Sequence, residues 1–214
     1  HQNVKSNGLG DPSLLLYYQP FNNWASITAK WKHALLIGAG LKFPLGKHDE
    51  QDQGEIINRN FQVGSGSLDY LVSMNYTIRK NAIGFNVESG YKINTENEDG
   101  YEFGNQLNLS GYTFYLKEFS WLSVLPYGGV YFEHGQKHLS NGFEQVNTGG
   151  QATFASAGLQ FYKGSMTLNL IYQTPLSQSF NADNVSLIES GDRFSIGFMI
   201  NIAKKGNGAF IPVE

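Results

Sequence analysis

Few side chains in this sequence are placed to do chemistry. His134 and His138 carry metal-ligating nitrogens on one loop, but a loop does not fix their geometry and no third ligand stands with them. Ser140 beside His138 is the one local nucleophile and base, and it lacks the Gly-x-Ser-x-Gly setting that presents a nucleophile on a sharp strand-to-helix turn. The acidic run Asp49-Glu50-Gln51-Asp52 and the turn Asn97-Glu98-Asp99-Gly100 offer oxygen ligands, neither at the spacing of a calcium loop. Gly38-Ala39-Gly40 lies inside an alternating stretch, hence within a strand, which argues against a phosphate-binding loop. Without cysteine there are no thiolate ligands and no disulfides. The expectation is no catalytic residue, no metal and no cofactor.

A second set of residues shares a placement rather than a motif. Lys42, Asp69, Glu88, Lys92, Glu102 and Arg193 occupy the polar phase of stretches whose other phase is apolar. If the apolar phase meets lipid, these charges face a lumen, where opposed charges set solute selectivity. The competing expectation is that they pair across the interior and hold a narrow barrel together; Glu88 and Lys92, four residues apart on one face, fit such a network.

What positions them is a run of strands organised around residues 68–93. Tyr70, Val72, Met74, Tyr76 and Ile78 alternate with Asp69, Leu71, Ser73, Asn75 and Thr77, and after the short charged turn Arg79-Lys80-Asn81 the alternation resumes through Ile83, Phe85, Val87, Tyr91 and Ile93. Successive side chains of a strand point to opposite faces, so each arm has one apolar and one polar face. Similar patterns predict strands at 13–19, 25–43, 101–115, 121–132, 166–173 and 193–202, and 151–162 is read as a strand that alternates poorly, nine in all. The second is read as one very long strand because its phase never slips from Ala25 to Phe43, with a bend near Lys32 as the fallback. Pro126 and Gly128-Gly129 predict a bulge in the sixth.

Connections alternate in length. Those at 20–23, 79–81, 117–118 and 163–164 are short, and those at 46–66, 94–100, 134–150 and 175–192 are longer. Outer-membrane barrels have this asymmetry, with short periplasmic turns and long external loops. Each organising arm also has about the 9 to 11 residues that a tilted strand needs to cross a bilayer.

Composition agrees. Charged residues are 15%, below the roughly 25% usual for soluble domains, while aromatics are 14% and glycines number 25, as suits aromatic girdles around a crowded interior. Tyr17, Tyr18, Trp31, Tyr70, Tyr91, Trp121, Tyr172 and Phe194 are the expected girdle residues. No apolar run is long enough for a transmembrane helix. The net charge of −3, without a basic cluster, gives no case for nucleic acid.

The expected fold is all-β, an antiparallel up-and-down transmembrane β-barrel in a single domain over 1–214. Nine strands do not close a bacterial single-chain barrel, where even numbers rule, so the expectation is a 10- to 12-stranded barrel lacking N-terminal strands here. The start at His1-Gln2-Asn3 places any export signal upstream or already removed.

Four pieces, Gly8-Leu9-Gly10-Asp11, Gly40-Leu41-Lys42-Phe43-Pro44-Leu45-Gly46, Gly64-Ser65-Gly66-Ser67-Leu68-Asp69-Tyr70, and Gly90-Tyr91-Lys92-Ile93-Asn94 followed by Asp99-Gly100-Tyr101-Glu102-Phe103-Gly104, stand in order over the first half. In them the chain resembles the outer-membrane β-barrel family assigned to transport in the meta-pathway of phenol degradation. The resemblance implies a barrel in the outer membrane of a Gram-negative bacterium. The C-terminus departs from the usual barrel ending, running on through Ala203-Lys204-Lys205 to Glu214. The expected function is a passive channel or carrier for a small-molecule solute, with outer-membrane lipid as partner. The alternative is a plugged docking barrel that meets other envelope proteins through its external loops.

Overall fold

The computed structural model describes residues 8–52, 55–56, 59–183 and 188–201. Nine long strands make one antiparallel meander: β1 Ser13–Asn22, β2 Lys32–Lys42, β3 Asp69–Lys80, β4 Ile83–Ile93, β5 Gln106–Tyr115, β6 Ser123–Gly135, β7 Gly150–Lys163, β8 Met166–Phe180 and β9 Arg193–Ile200. Each pairs with its sequence neighbour, and the two-residue piece Lys117–Glu118 adds to the start of β6. The fold is all-β as expected, but among the described residues the sheet does not close into a barrel: β1 and β9 are its edges.

The organising hairpin forms because Lys80 and Ile83 close a two-residue turn in which Asn81 takes φ +54°, a left-handed conformation that asparagine tolerates. The period-2 pattern then settles which side chains share a face. On one face stand Leu14, Leu16, Tyr18, Ile37, Tyr70, Val72, Phe85, Tyr91, Leu109, Val130, Leu159, Phe194 and Ile196, all exposed, with Leu16 at 73% and Phe194 at 66%. The other face carries Lys42, Asp69, Asn75, Glu88, Lys92, Ser110, Ser156, Gln160 and Arg193.

That second face is less polar than its pattern suggests. Leu36, Tyr112, Phe114 and Leu125 are buried on it, as is Phe154, and these rings need room. Glycines on neighbouring strands supply it: the Tyr17 ring lies over Gly38, Phe114 over Gly84 and Tyr127 over Gly158, where a Cβ would collide with each ring. Tyr17 is therefore on the inner face and not in the girdle expected of it, whereas Tyr18, Trp31, Tyr70, Tyr91, Trp121, Tyr172 and Phe194 are exposed and outside this packing.

Several boundaries differ from the sequence reading. β2 begins at Lys32, and residues 23–31 form a loop instead of the first half of a long strand. Asparagine and serine side chains make the difference: Asn22 Oδ1 accepts from Trp24 N at 2.9 Å, Asn23 Oδ1 from His33 N at 2.6 Å, and Ser26 Oγ from Ala29 N at 3.2 Å. They offer the backbone local bonds in place of a ladder. β1 runs on through Pro20, with a register shift between Tyr18 and Phe21, which an edge strand tolerates. No bulge occurs at Pro126. It sits just past the end of the β5 ladder at Tyr127↔Phe114, so its missing donor costs no bond there. The register shift falls instead between Thr153 and Phe154, and β8 continues through Pro175 to Phe180. Residues 101–115 are two pieces, Tyr101–Glu102 in the loops and β5 from Gln106.

The alternation of connections holds. Residues 23–31, 81–82, 116–122 and 164–165 join strands at one end, and 43–68, 94–105, 136–149 and 181–192 at the other.

Candidate functional site

Asp11, just ahead of β1, is the hub of the long-loop end. Its Oδ1 accepts from Gly46 N at 2.8 Å, and its Oδ2 accepts from Ser65 N at 2.8 Å, Ser65 Oγ at 2.9 Å and Lys42 Nζ at 2.9 Å. Lys42 also meets Asp69 Oδ2 at 2.6 Å, and Asp69, 0% exposed, takes Ser67 Oγ and Thr95 N on its Oδ1. A lysine between two buried carboxylates offsets the cost of taking all three from water, and donors fill the remaining oxygens. Burial alone would push the Asp11 carboxyl up; the bonds from Lys42, Ser65 and Gly46 outweigh it and hold it below its ordinary value.

This hub folds the first long loop back on itself. Gly46 and Gly64 cross so closely that a Cβ on Gly46 would lie 2.8 Å from Gly64 Cα, so neither position accepts a side chain. The sequence gives no warning of the hub, because Asp11 and Ser65 are 54 residues apart and belong to no repeating pattern.

Arg193 opens β9 and reaches back across β8 and β7 to Glu133 on β6. Both guanidinium arms donate, Nη1 to Oε2 at 2.8 Å and Nη2 to Oε1 at 2.7 Å, while Ser190 Oγ accepts from Nη2 at 2.9 Å and the Phe154 ring lies 4.1 Å below. A bridge over two intervening strands requires the inner face to be concave. Planar bidentate pairing explains why arginine, not lysine, stands here.

Glu88 and Lys92 do not pair. Lys92 stands near the hub, within the fields of Lys42, Asp69 and Asp11. Glu88 lies deeper, where Asn75 Nδ2 donates to its Oε1. Asn75 is aimed by its own neighbours: its Oδ1 accepts from Asn86 Nδ2 at 3.0 Å and Thr77 Oγ1 at 3.2 Å. Glu102, the sixth expected lumen charge, is off the nine-strand face; it sits in a small loop sheet of Tyr101–Glu102, Leu139–Ser140 and Phe143–Glu144. So Lys42–Asp69 and Arg193–Glu133 are ion pairs, Glu88 and Lys92 are on the same face without one among the described residues, and Glu102 is elsewhere.

The loops lace into a collar. Arg59 joins the first to the second through Asp99 at 2.8 Å; Gln136 N to Asn105 O and Asn141 N to Gly100 O join the second to the third; Asn147 and Asp183 join the third to the fourth. His138 is buried in the collar between the edges of Tyr101 and Phe103, its Nδ1 2.7 Å from Tyr101 Oη. Burial first, and the nearby Lys92 second, push its pKa down. His134 belongs to β6 and is exposed, so the two histidines do not converge, and no group of three or more metal-binding side chains occurs among the described residues. Ser140 is in the loop sheet, paired with Tyr101 and Phe143. Asn97 Oδ1 accepts from Asp99 N and Tyr101 N, closing the turn on itself. In the acidic run Asp49-Glu50-Gln51-Asp52, the side chains of Gln51 and Asp52 lie outside what the structure describes.

No family model, no curated protein and no solved structure matches this chain.

Proposed function

We propose that the chain is a β-barrel protein of a bacterial outer membrane that passes a small solute as a passive channel or carrier. The observation that carries this reading is the pairing of two unlike faces on strands of spanning length. Outside is a continuous exposed band of Leu, Ile, Val and aromatic side chains; inside is a concave face bearing paired charges and asparagines. Soluble monomers rarely expose so much contiguous apolar surface. Exposed aromatics at both ends of the band, Tyr70, Tyr91 and Phe194 toward the long loops and Trp31, Phe119 and Trp121 toward the short turns, fit two membrane interfaces.

In a bilayer the free edges of β1 and β9 would leave backbone groups unpaired, so the reading requires further strands to complete a barrel, 10 to 12 in all. The resemblance of the first-half motifs to the phenol meta-pathway barrel family belongs to the same proposal. A second reading, a plugged barrel that docks other envelope proteins, draws support from the laced collar, which spans all four long loops.

Fractionating the native cell and reconstituting the full-length protein in liposomes tests both. Outer-membrane location with permeation of a neutral sugar supports the channel. Outer-membrane location without permeation favours the docking barrel. Recovery as a soluble protein refutes both.

A further inference from the structure

One carboxylate on the concave face lacks a cation. Lys42 serves Asp11 and Asp69, and Arg193 serves Glu133, but Glu88 receives only the Asn75 amide, on Oε1. Its Oε2 has no protein donor among the described residues. Beside it is a cavity of about 200 Å³ lined by Tyr17, Ser73, Asn75, Glu88, Asn108, Ser110 and Tyr131 together with neighbouring residues of β3–β5. That volume is several times what a single water requires. The lining contains one acid and no base.

The tyrosines are fixed in place. The Tyr17 ring rests on Gly38, where a Cβ would come within 2.7 Å of Cε1, and Tyr131 Oη donates to Asn108 Oδ1 at 3.0 Å. Aromatic rings present electron-rich faces to cations, with an affinity that grows when water is excluded. A divalent metal ion is a poor fit, because calcium takes 6 to 8 oxygen ligands and a single carboxylate here comes with neutral groups only. Carboxylate and tyrosine rings together suit a cation with an apolar body.

We propose that this cavity binds a small organic ammonium ion, its positive head against Glu88 Oε2 and its alkyl groups against the Tyr17 and Tyr131 rings. The site rests on the channel reading and names the solute class: compact amines and quaternary ammonium ions in preference to neutral or anionic molecules of equal size.

The test is calorimetric titration of the full-length protein in detergent with choline, and with 3,3-dimethylbutanol as its uncharged isostere. Choline is expected to bind about tenfold or more tighter than the alcohol. Glu88→Gln keeps an acceptor for Asn75 and is expected to weaken choline by about tenfold while leaving the alcohol unchanged; Tyr131→Leu is expected to weaken choline less. Equal affinity for the two probes, no binding of either, or full choline affinity in Glu88→Gln would overturn the site. If Glu88→Gln does not fold, the two-probe comparison on the unmodified protein still decides. Liposome permeation by choline and by a neutral sugar separates the two proposals: permeation of either without choline binding removes the site and leaves the channel, and choline binding with neither solute permeating upholds the site and removes the channel.

Discussion

Acidification is expected to loosen the collar through His138. Its folded pKa lies below the ordinary histidine value of about 6.5, so the folded state prefers the neutral ring. The stability this contributes is complete above about pH 6.5 and falls as the pH drops from there through the lower folded value, because the unfolded chain takes up the proton first. Tyr101 and Phe103 pack against the ring, and burial and the field of Lys92 both disfavour the imidazolium. The protection of residues 136–149 against hydrogen exchange, taken relative to the intrinsic rate at each pH, should fall between pH 7 and 5, and His138→Asn should remove that dependence; an unchanged profile in the variant would mean another group titrates. Asp11 acts in the same sense at lower pH. Its lowered pKa gives stability that is present above about pH 3.9 and is lost as pH falls through the folded value. Asp11→Ala removes an acceptor from four donors and is expected to cost about 2–4 kcal/mol in a urea titration in detergent. The strand phase alone was enough to place Lys42, Asp69, Glu88, Lys92 and Arg193 on one face. Their partners were not legible: Glu133 and Arg193 are 60 residues apart, and only the curvature of the sheet brings them together.

At the level of elements, alternation located the strands that have one apolar and one mixed face to declare. It misled where side chains compete for backbone bonds. The even phase from Ala25 to Trp31 is a coincidence of composition that Asn22, Asn23 and Ser26 override. β7 alternates poorly for a physical reason: Phe154 turns inward beneath Arg193, so an apolar residue occupies the polar phase. Pro126 and Pro175 both lie within strands, each where the ladder can spare a donor. The first long loop depends on the crossing of Gly46 and Gly64. Gly64→Ala is expected to expose residues 43–68 to limited proteolysis while the far-ultraviolet circular dichroism of the strands stays unchanged; a protected loop would show that the crossing can yield.

For the whole molecule, the two faces make unequal demands on a new charge. Leu109 and Asn108 are neighbours on β5 pointing to opposite sides. On the membrane reading, Leu109→Arg should cost about 2–4 kcal/mol of folding free energy in a bilayer, against a much smaller effect of Asn108→Arg. Equal costs would mean that the outer band does not meet lipid. Composition and connection lengths made the sheet and its asymmetry legible, whereas the open edges at β1 and β9 were not, since the presence or absence of pairing between distant strands leaves no periodic trace. The meander also dictates an order of assembly. Every strand pairs with the one before it, so the ladder can zip up hairpin by hairpin with little loop entropy to overcome at each step, and contacts of short sequence separation form fastest. The clasps from Asp11 to Ser65 and from Arg193 to Glu133 span 54 and 60 residues and can fasten only after the intervening hairpins are laid down. They work as latches that shut behind a finished sheet, slowing its unravelling without having guided its construction.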